Sequence, residues 1–436
     1  MTPSDPFAGR AMAAAQPTPK NILRGHRAQV HVATFIRGNE RLVIGDADGY
    51  ITVWDLAVMR PTAVWQAHAK AMLGIQGWGP DKIITHGRDN KLIVWKLATA
   101  DEAGLSKALP VEDLPVPRQQ PWVLHQLEVN TMNFCSFSAC ARRSHHDDTC
   151  DLGDSPDILV AVPNTLLSEA VDIYSLPSQS RIHTVKPRTQ NGMAMCLRLF
   201  HHDRCLTLLA AFENGCATVQ RLESSGAWIT TYRTEAHSQP VLSLDLDPGR
   251  AYFLTSSADS MIAKHPIPTA LQAVACLPDD DGVVAMDLER RSLLSEAANS
   301  SAKVPSPPER REEWKHPLKT VNTKHAGQQS LMIRSDGKIF ATAGWDANIR
   351  VYSCKTLREL AVLQWHKVGA YAVALASVGT PSAAAASDSG TRPLSCKDSS
   401  STALLGVKDR RIRQATKAHW IAAGAKDGKV SLWDVY

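Results

Sequence analysis

The amino-acid sequence predicts an all-β fold, a ring of seven four-stranded blades, on three observations. A His is followed 21 or 22 residues later by an Asp, and six further on by an aromatic residue or a second His, at His26/Asp48/Trp54, His68/Asp89/Trp95, His237/Asp259/His265 and His325/Asp346/Tyr352. The copies keep a regular step, 42 residues from His26 to His68 and 41 from His325 to His366. Between these marks run short β-branched stretches broken by turn residues, without long 3.6-residue periodicity. Together these are the WD40 repeat signature of a β-propeller.

The blades follow in order. In the first, GNERLVIGDADGYITVWDL alternates apolar and polar residues about a tight turn at Asp48 and Gly49. The second, DKIITHGRDNKLIVWKL, completes a set of His68, Thr85, Asp89 and Trp95. The fifth supplies His237, Thr255, Asp259 and His265, and the sixth His325, Thr342, Asp346 and Tyr352. The seventh, stretched by an insertion, has His366, Asp427 and Trp433. Buried imidazoles and carboxylates are costly unless each polar atom is partnered, so such sets are expected to staple their blades. A hydrolase triad is the rival reading. Copies spread round a ring cannot all be catalytic, and no G-x-S-x-G elbow accompanies them, so no enzyme, cofactor or metal site is expected.

Between His68 and His237 lie 169 residues, enough for three steps and an insertion, so two worn blades belong there. The third is read from PWVLHQLEVNTMNFCSF, ILVAVPN and AVDIYSL, ending on Tyr174, and the fourth from MAMCLRLF, CLTLLAAFENG and CATVQRL. The last VSLWD stands just before Tyr436 and leaves no residues for an outer strand. Residues 19–24, PKNILR, are therefore expected to supply it and clasp the ring, since an edge would otherwise stay unpaired. Residues 1–18 are expected to be a disordered tail and 19–436 a single propeller, the repeat overruling the length prior.

Composition fits an ordinary globular chain of 436 residues, 44% hydrophobic with net charge +5. No dense Lys/Arg stripe with interleaved aromatics appears, so direct nucleic-acid binding is not expected. No stretch is apolar enough to span a membrane, and the start lacks the basic and apolar regions of a secretory signal. Nine cysteines without regular spacing suit a reducing compartment. Cys135, Cys140, His145 or His146, and Cys150 invite a zinc reading, but the paired C-x-x-C knuckles of strong sites are missing and a solvated insertion is the better account. His201, His202 and Cys205 read as a turn between strands.

Three insertions interrupt the rhythm, at about 98–120, 270–315 and 378–415. Acidic and Pro-containing, polar and Pro-rich, and Ala/Ser/Gly-rich in turn, they are expected to be disordered or looped. The third ends on KDRRIR, a short basic run that could contribute to nuclear import.

The residue before each turn Asp lies at the rim of the face where these turns gather: Ala47, Arg88, Ala258, Trp345 and Lys426. Trp345 stands out, because a small or polar residue suffices there and an exposed indole is characteristic of binding interfaces. Arg88, Trp345 and Lys426 are the candidate partner-binding surface.

SLMIRSDGKIFATAGWDANIRVYS (330–353), HGRDNKLIVWKL (86–97), and the opening ILRGHRAQVHVATF with GDADGYITVWDL resemble the ASTRA-associated protein 1 family of fungi, and with it the animal G-protein beta-subunit-like protein 1. The likeness is best in the first two and last two blades. It implies a non-catalytic, monomeric scaffold subunit of the nuclear ASTRA assembly, linked to chromatin remodelling and to maturation of phosphatidylinositol-3-kinase-related kinases. The partners implied are the telomere-maintenance co-chaperone trio, the RuvB-like AAA+ ATPases and the kinase-related proteins themselves. A ubiquitin-ligase substrate adaptor or a histone-tail reader is the alternative. A true heterotrimeric beta subunit would need an N-terminal coiled coil, which the proline-containing start cannot form.

Overall fold

Among the described residues seven four-stranded antiparallel sheets form the ring, and Gln272–Val274 pairs with Arg310–Glu312 as a separate two-stranded sheet. The computed structural model describes residues 17–130, 134–143, 152–153, 155–274, 310–378 and 406–435. Blade 1 is built from Val30–Ile36, Arg41–Asp46, Tyr50–Asp55 and Arg60–Gln66. Blade 2 follows with Met72–Trp78, Lys82–Gly87, Lys91–Lys96 and Trp122–Glu128. Blade 3 runs from Ser138–Ala141 to Ser180–Val185 and blade 4 from Ala194–His202 to Trp228–Glu235. Blade 5 starts at Val241–Leu246 and closes on Lys319–Asn322, and blade 6 spans Gln328–Ile333 to Glu359–Gln364.

Blade 7 takes Ala370–Leu375, Trp420–Ala425 and Val430–Asp434 from the C-terminal part, and its outer strand, Asn21–Leu23, from the N-terminal part. Leu23 pairs opposite Val430 and Asn21 opposite Leu432, so the expected clasp closes the ring. Leu23 also joins Leu432, Val30 and Ile44 in one buried cluster, which fastens blade 7 to blade 1. Each of the other six gaps between blades holds its own apolar cluster. The core is thus a wheel of side-chain layers, each made by the alternate residues of two facing sheets.

First strands of neighbouring blades pack on one another and line the axis, while fourth strands form the rim. Each sequence repeat contributes the outer strand of one blade before the inner strands of the next. Trp122–Glu128, grouped with blade 3 from the sequence, therefore pairs into blade 2, where Trp122 lies opposite Lys96.

The first insertion corrects the expectation of disorder. After a 3-10 turn at Asp101–Gly104, residues 105–120 climb the rim of blade 1 as a strap. Ser106 accepts from the Val64 N–H, and the Val111 N–H donates to Gly25. Glu102 explains why this polar segment is fixed: its buried carboxylate is held by the Arg37 and Arg41 guanidiniums, and Arg118 donates to the carbonyls of Ala108, Leu109 and Glu112. The basic run of the third insertion is likewise ordered, within a mostly exposed helix, Val407–Lys417. Residues 1–16, 275–309 and 379–405 lie outside the described residues. All three insertions leave from one face, opposite the His–Asp turns, since each replaces a connection at that end of its blade.

Candidate partner-binding face

Local hydrogen bonding fixes the turns that form the opposite face. In blade 2, His68 contacts Asp89 through Nδ1 and Thr85 through Nε2, both at 2.8 Å, and the Trp95 indole donates to the Thr85 hydroxyl at 2.9 Å. Blade 5 repeats this with His237, Asp259 and Thr255, and His265 occupies the tryptophan position with Nε2 2.7 Å from Thr255. Burial drives the His265 pKa down to about 3, so its ring is neutral and can accept from the Tyr232 hydroxyl of blade 4.

Three blades depart from the expected set. In blade 1 the partner of His26 is Asp46, at 2.7 Å, and Asp48 is exposed in the turn. Asp46 is fully buried and also accepts from the Asp48 and Tyr50 N–H groups, which accounts for its selection. The hydroxyl comes from Thr52 on the third strand, directly opposite Ile44, and both His26 and Trp54 bind it. In blade 7 Ser431 plays this part for His366 and Trp433. Asp427 is captured by Lys429 at 2.7 Å and makes no hydrogen bond to His366.

In blade 6, Arg350 stands directly opposite Thr342 and sends its guanidinium to Asp346, at 2.5 and 3.1 Å. His325 is displaced outward, 3.8 Å from Asp346 and 42% exposed, so the Thr342 hydroxyl has no histidine and Tyr352 is not joined to a tetrad. A guanidinium fills the slot left open by Ile93 in blade 2 and Ala263 in blade 5.

The worn blades use other chemistry, missed in the sequence for want of the His–Asp spacing. In blade 3, buried Asp172 accepts from Asn164 and Thr184 at 2.8 and 2.6 Å. In blade 4, Asn191 receives Thr189 and Arg233. These groups are buried staples, and none presents a nucleophile and base to solvent.

Backbone contacts join one turn to the next. A Cβ at Gly49 would lie 2.0 Å from the His68 carbonyl oxygen, and one at Gly428 would lie 2.3 Å from that of His26. Both glycines have positive φ, 78° and 73°, so the close approach and the backbone conformation each demand glycine. Six inner strands carry a bulge at their second residue, at His31, Leu73, Met195, Leu242, Gln329 and Tyr371. Bulges re-aim side chains, and these six are half-buried at the mouth of the channel.

The structure joins the three sequence candidates through these residues. Trp345, 47% exposed, donates its indole N–H to Gln329 at 2.8 Å and lies over Gly327. Gly369 sits between Trp345 and the Tyr371 ring, and its carbonyl accepts from the Lys426 N–H at 2.9 Å. Tyr371 meets His31 edge-on at 6.4 Å, and burial keeps that imidazole pKa below its usual value. Arg88, whose charge also opposes protonation of His31, stacks 4.3 Å above Phe134, itself 53% exposed. These residues mark a band over blades 6, 7, 1 and 2, with aromatic plates at both ends and exposed Lys367 and Lys426 between. Phe134, Lys367 and the bulge residues of this band escaped the sequence reading.

Of the zinc candidates, Cys135 and Cys140 lie in the layer between blades 3 and 4, where burial raises both thiol pKa values, Cys140 to about 12, and His145, His146 and Cys150 fall outside the described residues. His201 and His202 end a strand, and His201 contacts the Ala141 carbonyl.

Comparison with known proteins gives a match across nearly the whole ring: the ASTRA-associated protein 1 family profile covers residues 19–433. Three relatives carry that same description. That of Verticillium alfalfae is 52% identical, covering 96% of this chain and 93% of its own. That of Pyricularia oryzae is 49% identical over 97% and 98% of the two chains. That of Schizosaccharomyces pombe is 30% identical over 81% and 92%.

Proposed function

This chain belongs to the ASTRA-associated protein 1 family, and we propose that it is a non-catalytic scaffold subunit of the ASTRA complex that holds its partners on the band from Trp345 to Arg88. The family match over residues 19–433 carries the reading. A propeller in which most of the repeated His, Asp and hydroxyl groups are tied to one another in staples offers mainly surface, and function on such a fold lies in what the surface grips. Exposed aromatic plates next to cations suit an acidic segment with an apolar anchor, the combination that concentrates binding energy at interfaces.

The role extends to chromatin remodelling and to maturation of phosphatidylinositol-3-kinase-related kinases in the nucleus. The partners are the telomere-maintenance co-chaperone trio, the RuvB-like ATPases and the kinase-related subunits. A histone-tail reader would need an acidic or aromatic cage at the channel, and the six bulge residues at its mouth include no carboxylate and a single Tyr, Phe or Trp, Tyr371. Affinity purification of the tagged protein from nuclear extract at moderate salt, followed by mass spectrometry, tests the reading. Recovery of the trio with the RuvB-like ATPases supports it, and recovery of cullin-ligase components or nucleosomes without them overturns it.

A further inference from the structure

Sheet rims expose unpaired N–H and C=O groups, and folded proteins normally cover such edges or place charge on them. This ring covers two rims with its own insertions. On blade 1 the Val64 N–H donates to Ser106 of the strap at 2.7 Å. On blade 4 an extended segment at Trp314 exchanges two bonds, Trp314 N–H to Thr231 and Arg233 N–H to Trp314, both 2.9 Å. Each covering segment comes from the insertion of the following blade.

The rim of blade 2 is different. Among the described residues no other segment pairs with Trp122–Glu128 on its outer side, and its one formal charge, Glu128, stands at the end away from Trp122 and the groove beside it. Trp122, Val123 and Leu124 are 75%, 41% and 36% exposed. The other rims without a cover carry charge in their first two residues, where blade 2 has Trp122 and Val123, or are short: Arg181 is second in blade 3, Lys319 first in blade 5, Glu359 first in blade 6, and the outer strand of blade 7 has three residues. Beside the blade 2 edge lies a groove of about 690 Å³ against the strap, lined by Lys96, Leu105, Pro121, Trp122, Val123 and Leu124.

We propose that this edge takes up an extended, alternately apolar segment of a partner protein by strand addition, with one apolar side chain of the segment seated in the groove. Main-chain bonds to the edge supply affinity and the groove supplies selectivity, as in other strand-addition sites. The occupant is a peptide segment and not a second ring. Seven residues of strand cannot bring two rigid propellers to the roughly 1,200–2,000 Å² of a stable globular interface, whereas an extended segment follows the edge and continues into the groove. The two covered rims show that this geometry already receives extended chain. The proposal does not rest on the Trp345 band, which lies on a face and not on the rim.

A displayed library of short linear peptides, selected on the full-length protein, is the probe. Peptides with apolar residues at alternate positions should be enriched, and should slow hydrogen exchange of the amides in residues 122–128. Trp122→Lys or Leu124→Lys should weaken them by about tenfold or more with unchanged melting. Enrichment of no such peptides, or binding indifferent to both substitutions, would overturn the proposal. So would a dimer in sedimentation that either substitution dissolves, since the occupant would then be a second copy.

Discussion

The Tyr232 hydroxyl lies 2.8 Å from Nδ1 of His265, and this contact lets a histidine stand where blades 1, 2 and 7 carry tryptophan. An indole needs one acceptor, whereas a neutral imidazole needs an acceptor for one nitrogen and a donor for the other. Thr255 serves the first nitrogen, and the neighbouring blade serves the second. The staple of blade 5 is therefore also a bond between blades.

Tyr232→Phe keeps the ring and removes the donor, leaving His265 Nδ1 unsatisfied in a fully buried site. We expect a loss of about 1–3 kcal/mol in denaturant unfolding. A variant as stable as the parent would show that the hydrogen bond makes no net contribution.

Thr52→Ile in blade 1 should cost a similar ~1–3 kcal/mol, because His26 and Trp54 share that hydroxyl. Adding Ile44→Thr places a hydroxyl directly across the ladder, the arrangement of Thr85 and Ile93 in blade 2. The double variant should regain much of the loss. Failure of Ile44→Thr to restore any stability would contradict the equivalence of the two strand positions.

How far the sequence could be read follows from these cases. The periodic His, Asp and aromatic residues mark the blade number and ring closure because every blade must bury the same kind of face. They do not reveal which of Asp46 and Asp48 binds His26, since the two lie two residues apart at a strand end and its turn and only the strand register separates them. Nor do they show Arg350 intruding opposite Thr342, because cross-strand neighbours lie eight residues apart with no local signal. Trp345 was legible as an indole out of place. Gln329, Tyr371 and His31 were not, because an inner-strand bulge is a property of pairing.

Removing the carboxylate at Glu102 should detach the strap. Glu102→Ala leaves the Arg37 and Arg41 guanidiniums without their shared buried partner. Breaking a buried pair from one side costs about 3–5 kcal/mol. The expected readout is a lower melting temperature together with faster proteolysis within residues 105–120; an intact strap at parental stability would count against this account.

Acid should destabilise the ring well above the carboxylate range. His86 and His265 both have pKa values lowered by burial from 6.5 to about 3. Between those values the unfolded chain holds a proton on each that the folded protein lacks, so stability falls as pH drops through this window, by roughly 1 kcal/mol per pH unit for each group. Asp89 and Asp259, with pKa values held down by hydrogen bonds from His68 and His237 despite the opposing effect of burial, extend the loss below the usual carboxylate value. The melting temperature should be lower at pH 5 than at pH 7.5, and an equal or higher value at pH 5 would contradict the assignment.

The central claim is that the band from Trp345 to Arg88 grips the ASTRA partners, and parallel purification of wild type and Trp345→Ala from nuclear extract tests it most directly. Because the indole is half exposed and makes one hydrogen bond, to Gln329, the variant should melt within about 2 °C of wild type while recovering about tenfold less of the co-chaperone trio and RuvB-like ATPases. Undiminished recovery by a folded Trp345→Ala protein would place the partner surface elsewhere on the ring.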